Sequence, residues 1–134
     1  MKITHNKKAI NVEVKKVNTP GKFFGLMFQP RSTPNLLFEF NSTKAYSIHS
    51  FFVFFRFLAI WLDNRNRVLG SQIVKPFTPL VKPRKGAAKL VELPLNFKNE
   101  KTIQLLVGKR KHLNISRDKS SYKKRIKGGE KWVR

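Results

Sequence analysis

Ser47-Ile-His-Ser-Phe-Phe-Val-Phe-Phe-Arg-Phe-Leu-Ala-Ile-Trp-Leu-Asp63 is the stretch on which the fold turns. Both of its alternating faces are apolar, with Arg56 the only charge between Ile48 and Leu62. That fits a strand covered on both sides, or two strands bent near Arg56, better than an amphipathic helix. It is too short and too interrupted for the roughly 20 residues of a membrane-spanning helix. The polar run Asp63-Asn-Arg-Asn-Arg67 reads as a turn, and Arg67-Val-Leu-Gly-Ser-Gln-Ile-Val74 completes a hairpin.

Working outward, Asn35-Leu-Leu-Phe-Glu-Phe40 lies between Pro34 and Asn41-Ser-Thr and reads as a strand. Ala87-Ala-Lys-Leu-Val-Glu-Leu-Pro94 and Thr102-Ile-Gln-Leu-Leu-Val-Gly108 are two more strand candidates. Ile10-Asn-Val-Glu-Val-Lys-Lys-Val17 alternates with period two and reads as a half-buried strand. Thr19-Pro20 resembles a cap with a first-turn proline, predicting a short helix over Lys22–Phe28 that Gln29-Pro30 closes. Pro76–Gly86, with three prolines, reads as a loop. The expected fold is α+β and β-rich: a compact, mostly antiparallel sandwich or half-barrel with one short helix and a basic C-terminal extension. Residues 1–108 form the globular domain and 109–134 the arm.

The 134 residues, 40% hydrophobic with 12 Phe and 2 Trp, suffice for one core. Against that core stand 29 Lys+Arg and 7 Asp+Glu, a formal charge of +22. Such self-repulsion points to a polyanionic partner, and among nucleic acid, an anionic membrane face and an acidic protein the first is the commonest. The absence of cysteine removes disulfides, thiol catalysis and Cys-based zinc sites. The N-terminus lacks the apolar run of a signal peptide, so a soluble, cytoplasmic protein is expected.

The arm carries the strongest functional signal. Lys109, Arg110, Lys111, Arg117, Lys119, Lys123, Lys124, Arg125, Lys127, Lys131 and Arg134 face only Asp118 and Glu130, eleven bases against two acids, or +9. With so little apolar surface it cannot fold alone, but along phosphates each contact releases counterions. Arg117, Arg125 and Arg134 can fork onto phosphate oxygens. Tyr122 and Trp132 have no obvious core and suit stacking on RNA or wedging against a protein neighbour. Lys2, Lys7, Lys8, Lys15, Lys16 and Lys22 form a second candidate patch, and Lys75, Lys82, Arg84, Lys85 and Lys89 a third. Charge at both ends and in the middle suits a protein embedded in folded RNA rather than one gripping a single groove.

Several ordered motifs resemble the family catalogued as domain of unknown function 192. These are Gly25-Leu-Met-Phe28, Leu36-Leu-Phe-Glu-Phe40, Ser47-Ile-His-Ser-Phe-Phe-Val-Phe-Phe55, the Leu62-Asp63 turn, Arg67-Val-Leu69 and Leu90-Val-Glu-Leu-Pro94, covering roughly residues 20 to 108. The resemblance implies a compact, mostly antiparallel α+β fold and brings no established activity; it also has an archaeal cast. Arg56-Phe57 stands where the family often has Pro-Ile, and Gly108-Lys109 where it usually has Gly-Asp. If the family has a pocket function, those departures imply that this member has lost or repurposed it.

Catalytic groups are sparse. His5, His49 and His112 are far apart, without metal-ligand spacing, and His49 reads as a core or rim histidine. Glu39, Asp63 and Glu92 read as ion-paired rather than as an active pair. Ser50 beside His49 makes no triad, and no Gly-x-Ser-x-Gly elbow or phosphate-cradling loop is present. Phe51, Phe52, Phe54, Phe55 and Phe57 invite a base-stacking reading, yet contiguous Phe in an apolar run is more often core; only one or two, such as Phe51 or Phe77, are expected to stay available.

The expectation is a non-enzymatic RNA-binding protein, ribosomal or ribosome-associated, whose partners are rRNA and neighbouring ribosomal proteins. No metal, cofactor, membrane or small-molecule substrate is expected. The alternatives are a DNA-binding chromatin protein, which no helix-turn-helix or zinc-finger signature favours, and a small-ligand or peptide-binding module.

Overall fold

In the computed structural model the described residues are 1–17, 26–40 and 48–108. They form seven strands and one helix: β1 (Lys2–His5), β2 (Lys8–Asn11), β3 (Lys15–Lys16), β4 (Leu36–Glu39), β5 (Phe57–Leu62), β6 (Val68–Val74), β7 (Lys89–Pro94) and α1 (Glu100–Val107). Five strands make one sheet in the order β3-β4-β7-β5-β6, and β1 and β2 make a separate hairpin. Every pairing is antiparallel except β3 with β4. The α+β, β-rich expectation holds, and the sheet is open rather than closed into a barrel.

β5 shows why the apolar stretch decides the fold. All six of its residues are buried, with Leu58, Ile60 and Leu62 turned to one face and Phe57, Ala59 and Trp61 to the other. A strand covered on both faces has no polar side, hence the unbroken apolar run. The first face is closed by Ile3 and Ile10 of the hairpin and by Ile103 and Leu106 of α1. The second is closed by loops that contribute Leu26, Val53, Phe55, Val81 and Ala87. Each fully buried large side chain contributes about 1.5–3 kcal/mol relative to exposure.

The turns are set by local chemistry. Asp63 caps the β5–β6 turn by accepting from the backbone N–H groups of Arg65 and Arg67, both at 2.9 Å, and from Arg67 Nε at 2.7 Å. These bonds outweigh the opposing effect of desolvation and hold its carboxyl below the ordinary pKa. Asn6 and Lys7 both take positive φ, the twist a two-residue hairpin turn requires.

Four expectations are corrected. Thr102–Gly108 is not a strand, because residues 100–107 are the helix. Ile103 and Leu106 are buried while Leu105 is 52% exposed, a spacing of three that a strand cannot produce. The helix expected over Lys22–Phe28 is absent where it can be seen: Leu26–Phe28 is a turn closed by Gln29 N–H donating to Leu26 C=O at 3.1 Å, and residues 22–25 lie outside the described residues. Ile48–Arg56 is loop, touching Val81 through one isolated bridge, so the strand begins only at Phe57. Ile10–Val17 is split, because β2 ends at Asn11 and the chain pairs with β4 from Lys15. Among the described residues no helix is long and apolar enough to cross a membrane.

Candidate nucleic-acid interface

Every predicted binding residue that falls within the described part is exposed: Lys7, Lys8, Lys15, Lys16, Lys82, Arg84 and Lys85. The structure does not gather them into one patch. Lys15 and Lys16 form β3, one edge of the sheet, where Lys16 Nζ lies 3.0 Å from Glu39 Oε2 in an exposed ion pair. Arg84 lies across β6, the opposite edge, where its side chain fills the space beside Gly70; a Cβ there would meet Arg84 Nε at 2.6 Å. Lys7 and Lys8 turn and continue the hairpin that meets β6 at the Thr4–Arg67 bridge. Lys89 is half-buried and donates to Asn66 Oδ1 at 2.7 Å, so it supports a turn. Lys109, Arg110, Lys111, Arg117, Lys119, Tyr122, Lys123, Lys124, Arg125, Lys127, Lys131, Trp132 and Arg134 lie outside the described residues, as do Lys22 and His112.

A cleft of about 480 Å³ opens beside β3, with Lys15 and Lys98 among its lining residues. The Asn35 and Asn99 amides within it are spent on structure. Asn35 and Asn99 bond reciprocally at 3.0 and 2.8 Å, Asn35 Nδ2 also donates to Glu13 C=O, and Asn99 Nδ2 donates to Pro94 C=O. They tie the start of α1 to the β3–β4 edge rather than awaiting a ligand.

The feature that sequence reasoning missed is an aromatic surface on the loops covering the second face. Phe28, Phe51, Phe52, Phe54 and Phe77 are 66, 41, 47, 61 and 49% exposed, while Val53, Phe55 and Phe57 between and beyond them are buried. The expectation that this Phe run is mainly core is therefore corrected: it lies on a loop whose side chains divide between core and solvent. Four of these exposed rings touch one another. Phe28 stacks on Phe52 with centroids 5.1 Å apart and planes at 18°, and Phe77 meets Phe52 and Phe54 edge-on at 6.3 and 5.6 Å. His49, expected in the core or at its rim, is exposed, with its ring 5.1 Å from that of Phe51.

Ser50 holds this surface together. Fully buried, it donates through Oγ to Lys75 C=O and accepts from Thr78 N–H, both at 2.6 Å. Its backbone bonds Thr78, Phe77 and Val53, and Phe28 N–H donates to Phe52 C=O at 2.9 Å. Phe28, Phe52 and Phe77 all sit at φ near +60°, a conformation bulky residues rarely adopt. Such positions cost about 1–3 kcal/mol each and persist where surrounding bonds enforce them.

Of the three carboxylates expected in ion pairs, Glu39 and Asp63 are paired and Glu92 is not. Glu92 is buried on the second face of β7, between Leu36 of β4 and Ala59 of β5, and its Oε2 has no partner among the described residues. Burial pushes its pKa up to about 8. Trp61 Nε1, on the same face, is also without a partner there. The three carboxylates lie at separate places in the sheet, and no cluster of metal-ligating side chains occurs among the described residues.

No family model and no curated protein matches the chain. Two solved structures are similar. One is a "putative transcription regulator" from Sinorhizobium meliloti 1021, with a TM-score of 0.60 and 17% identity over 69% of this chain and 76% of that one. The other is a protein of unknown function from Novosphingobium aromaticivorans DSM 12444, with a TM-score of 0.53 and 14% identity over 69% of this chain and 70% of that one. At these identities the likeness is one of fold.

Proposed function

We propose that this is a non-enzymatic RNA-binding protein, ribosomal or ribosome-associated and cytoplasmic, that contacts rRNA phosphates on more than one side and adjoins neighbouring ribosomal proteins. One observation carries the reading: a chain of net charge +22 displays exposed lysines and arginines on both opposite edges of its sheet. A single duplex groove would engage one face, whereas folded RNA can surround the domain. The eleven bases of residues 109–134 extend the same chemistry. We also propose that the chain is a strongly basic member of the family of domain of unknown function 192, with residues 109–134 as an appended arm. The motifs that carry that resemblance fall on β4, on the loop before β5, on the β5–β6 turn, at the start of β6 and on β7.

Sucrose-gradient sedimentation of cell lysate at low and high salt tests the function, with the protein followed by mass spectrometry. Retention on one ribosomal subunit through high salt is expected. Release into the light fractions at low salt overturns the ribosomal assignment. The resemblance to a transcription regulator makes DNA the competitor to include, and preferential binding to long duplex DNA would replace RNA as the partner.

A further inference from the structure

We propose that Phe28, Phe52, Phe54 and Phe77 form a stacking platform for unpaired nucleobases, so that the protein grips looped or single-stranded segments of its RNA. The proposal rests on the RNA-binding reading above and adds to it what the rings do.

Four lines of argument converge. The rings are exposed and contiguous, and a patch of this kind on a small domain marks a contact surface. Phe28, Phe52 and Phe77 are also held in place, by the Ser50 bonds and the Phe28–Phe52 backbone bond, at a cost in backbone strain. The covering loops are basic: residues 48–56 and 75–88 hold Arg56, Lys75, Lys82, Arg84 and Lys85 and no acid. Lys82 follows Val81, which is bridged to Ile48, so that charge sits on the same pair of segments as the rings. Finally, the parallel Phe28–Phe52 pair leaves flat aromatic faces on which a planar base can continue the stack.

The same features select among occupants. A second copy would bring two chains of +22 together, so like charge opposes self-association. Rings fixed in mutual contact by backbone bonds suit a flat partner better than insertion among mobile acyl chains. Aromatic faces flanked by cations match single-stranded nucleic acid, whose bases offer π-faces and whose phosphates meet the lysines.

The test uses the full chain and two fluorescent probes, an unstructured oligouridine and an RNA duplex of equal phosphate number, with affinity read by anisotropy across a salt series. Phe54→Leu keeps apolar bulk but removes the ring, and Phe54→Tyr keeps the ring; thermal melting verifies that both fold. Phe54→Leu is expected to weaken oligouridine binding about tenfold with duplex binding and salt slope unchanged, and Phe54→Tyr to restore it. Phe77→Leu is expected to behave like Phe54→Leu. Equal losses on both probes, or no loss on either, overturn the platform while leaving RNA binding intact. A wild-type chain that binds neither probe overturns both readings. Phe-dependent binding to phosphatidylserine vesicles without the oligouridine effect assigns the patch to membranes, and a dimer that Phe54→Leu dissolves assigns it to a second copy; either result also overturns the platform.

Discussion

The hydroxyl of Ser50 and the carbonyl of Lys75 meet at 2.6 Å, joining two loops separated by 25 positions in sequence. The same hydroxyl accepts from Thr78 N–H, so one buried oxygen fixes both turns that carry the exposed rings. Ser50→Ala takes the acceptor from the part-buried Thr78 N–H and one of two donors from Lys75 C=O, which keeps Thr78 Oγ1 at 2.8 Å. The expected loss is about 1–3 kcal/mol, read as a lower denaturation midpoint. Single-strand affinity should fall more than duplex affinity, because the rings lose their alignment while the lysines do not. A variant as stable as the parent would show that the hydroxyl is dispensable.

Glu92 makes stability depend on pH in the direction opposite to most carboxylates. Its pKa is raised by burial from 4.5 to about 8, so the folded chain holds a proton that the unfolded chain releases. Its stability contribution is complete below pH 4.5 and declines as pH rises toward 8, by on the order of 1 kcal/mol per pH unit, levelling off above that. Glu92→Gln removes the ionisation and should flatten this slope in urea titrations between pH 5 and 8. An unchanged slope would place the titrating group elsewhere.

Most of the sheet is legible in the sequence because burial on both faces leaves a direct mark. Leu36–Glu39, Phe57–Leu62 and Lys89–Pro94 are apolar runs ended by Asn, Asp or Pro, and the Asp63 turn announces its hairpin. The helix is not legible, because Thr102-Ile-Gln-Leu-Leu-Val107 is short and β-branched at three of six positions. Strand and helix readings of such a run differ only in which leucine is buried, and the first sheet face decides that by receiving Leu106. The aromatic platform is equally hidden. Phe54 and Phe55 are identical neighbours in sequence, one 61% and the other 3% exposed, and only the loop path set by Ser50 separates them. The prolines flanking that path, Pro76 and Pro79 around Phe77, are the nearest signal the sequence contains.

Leu105 and Leu106 turn the helix into a mutational test. Leu106→Ala removes a side chain packed on Ile103 and the sheet, with an expected cost of about 2–5 kcal/mol. Leu105→Ala changes a side chain that is half in solvent and should stay within about 0.5 kcal/mol. A strand over the same residues would place Leu105 with Ile103 and reverse the ranking, so chemical denaturation of the two variants separates the geometries.

Charge on opposite edges of the sheet predicts additive rather than cooperative electrostatics in RNA binding. Lys15 and Lys16 on β3 share no partner with Lys75, which directly follows β6, or Arg84, which lies against it, so neutralising one pair should not alter what the other contributes. Each lysine that touches a phosphate should lower the slope of log affinity against log salt by about 1 when replaced by glutamine. Lys16 starts in an ion pair with Glu39, and because that pair is exposed its loss costs little on its own. Replacing Lys123, Lys124, Arg125 and Lys127 together should lower the slope by up to about 4, more than either edge pair. If one edge pair accounts for the whole loss and the other for none, the RNA approaches from a single side and the embedded geometry fails. If both edges and the arm contribute in proportion to their charges, the RNA contacts the protein on both sides of the sheet.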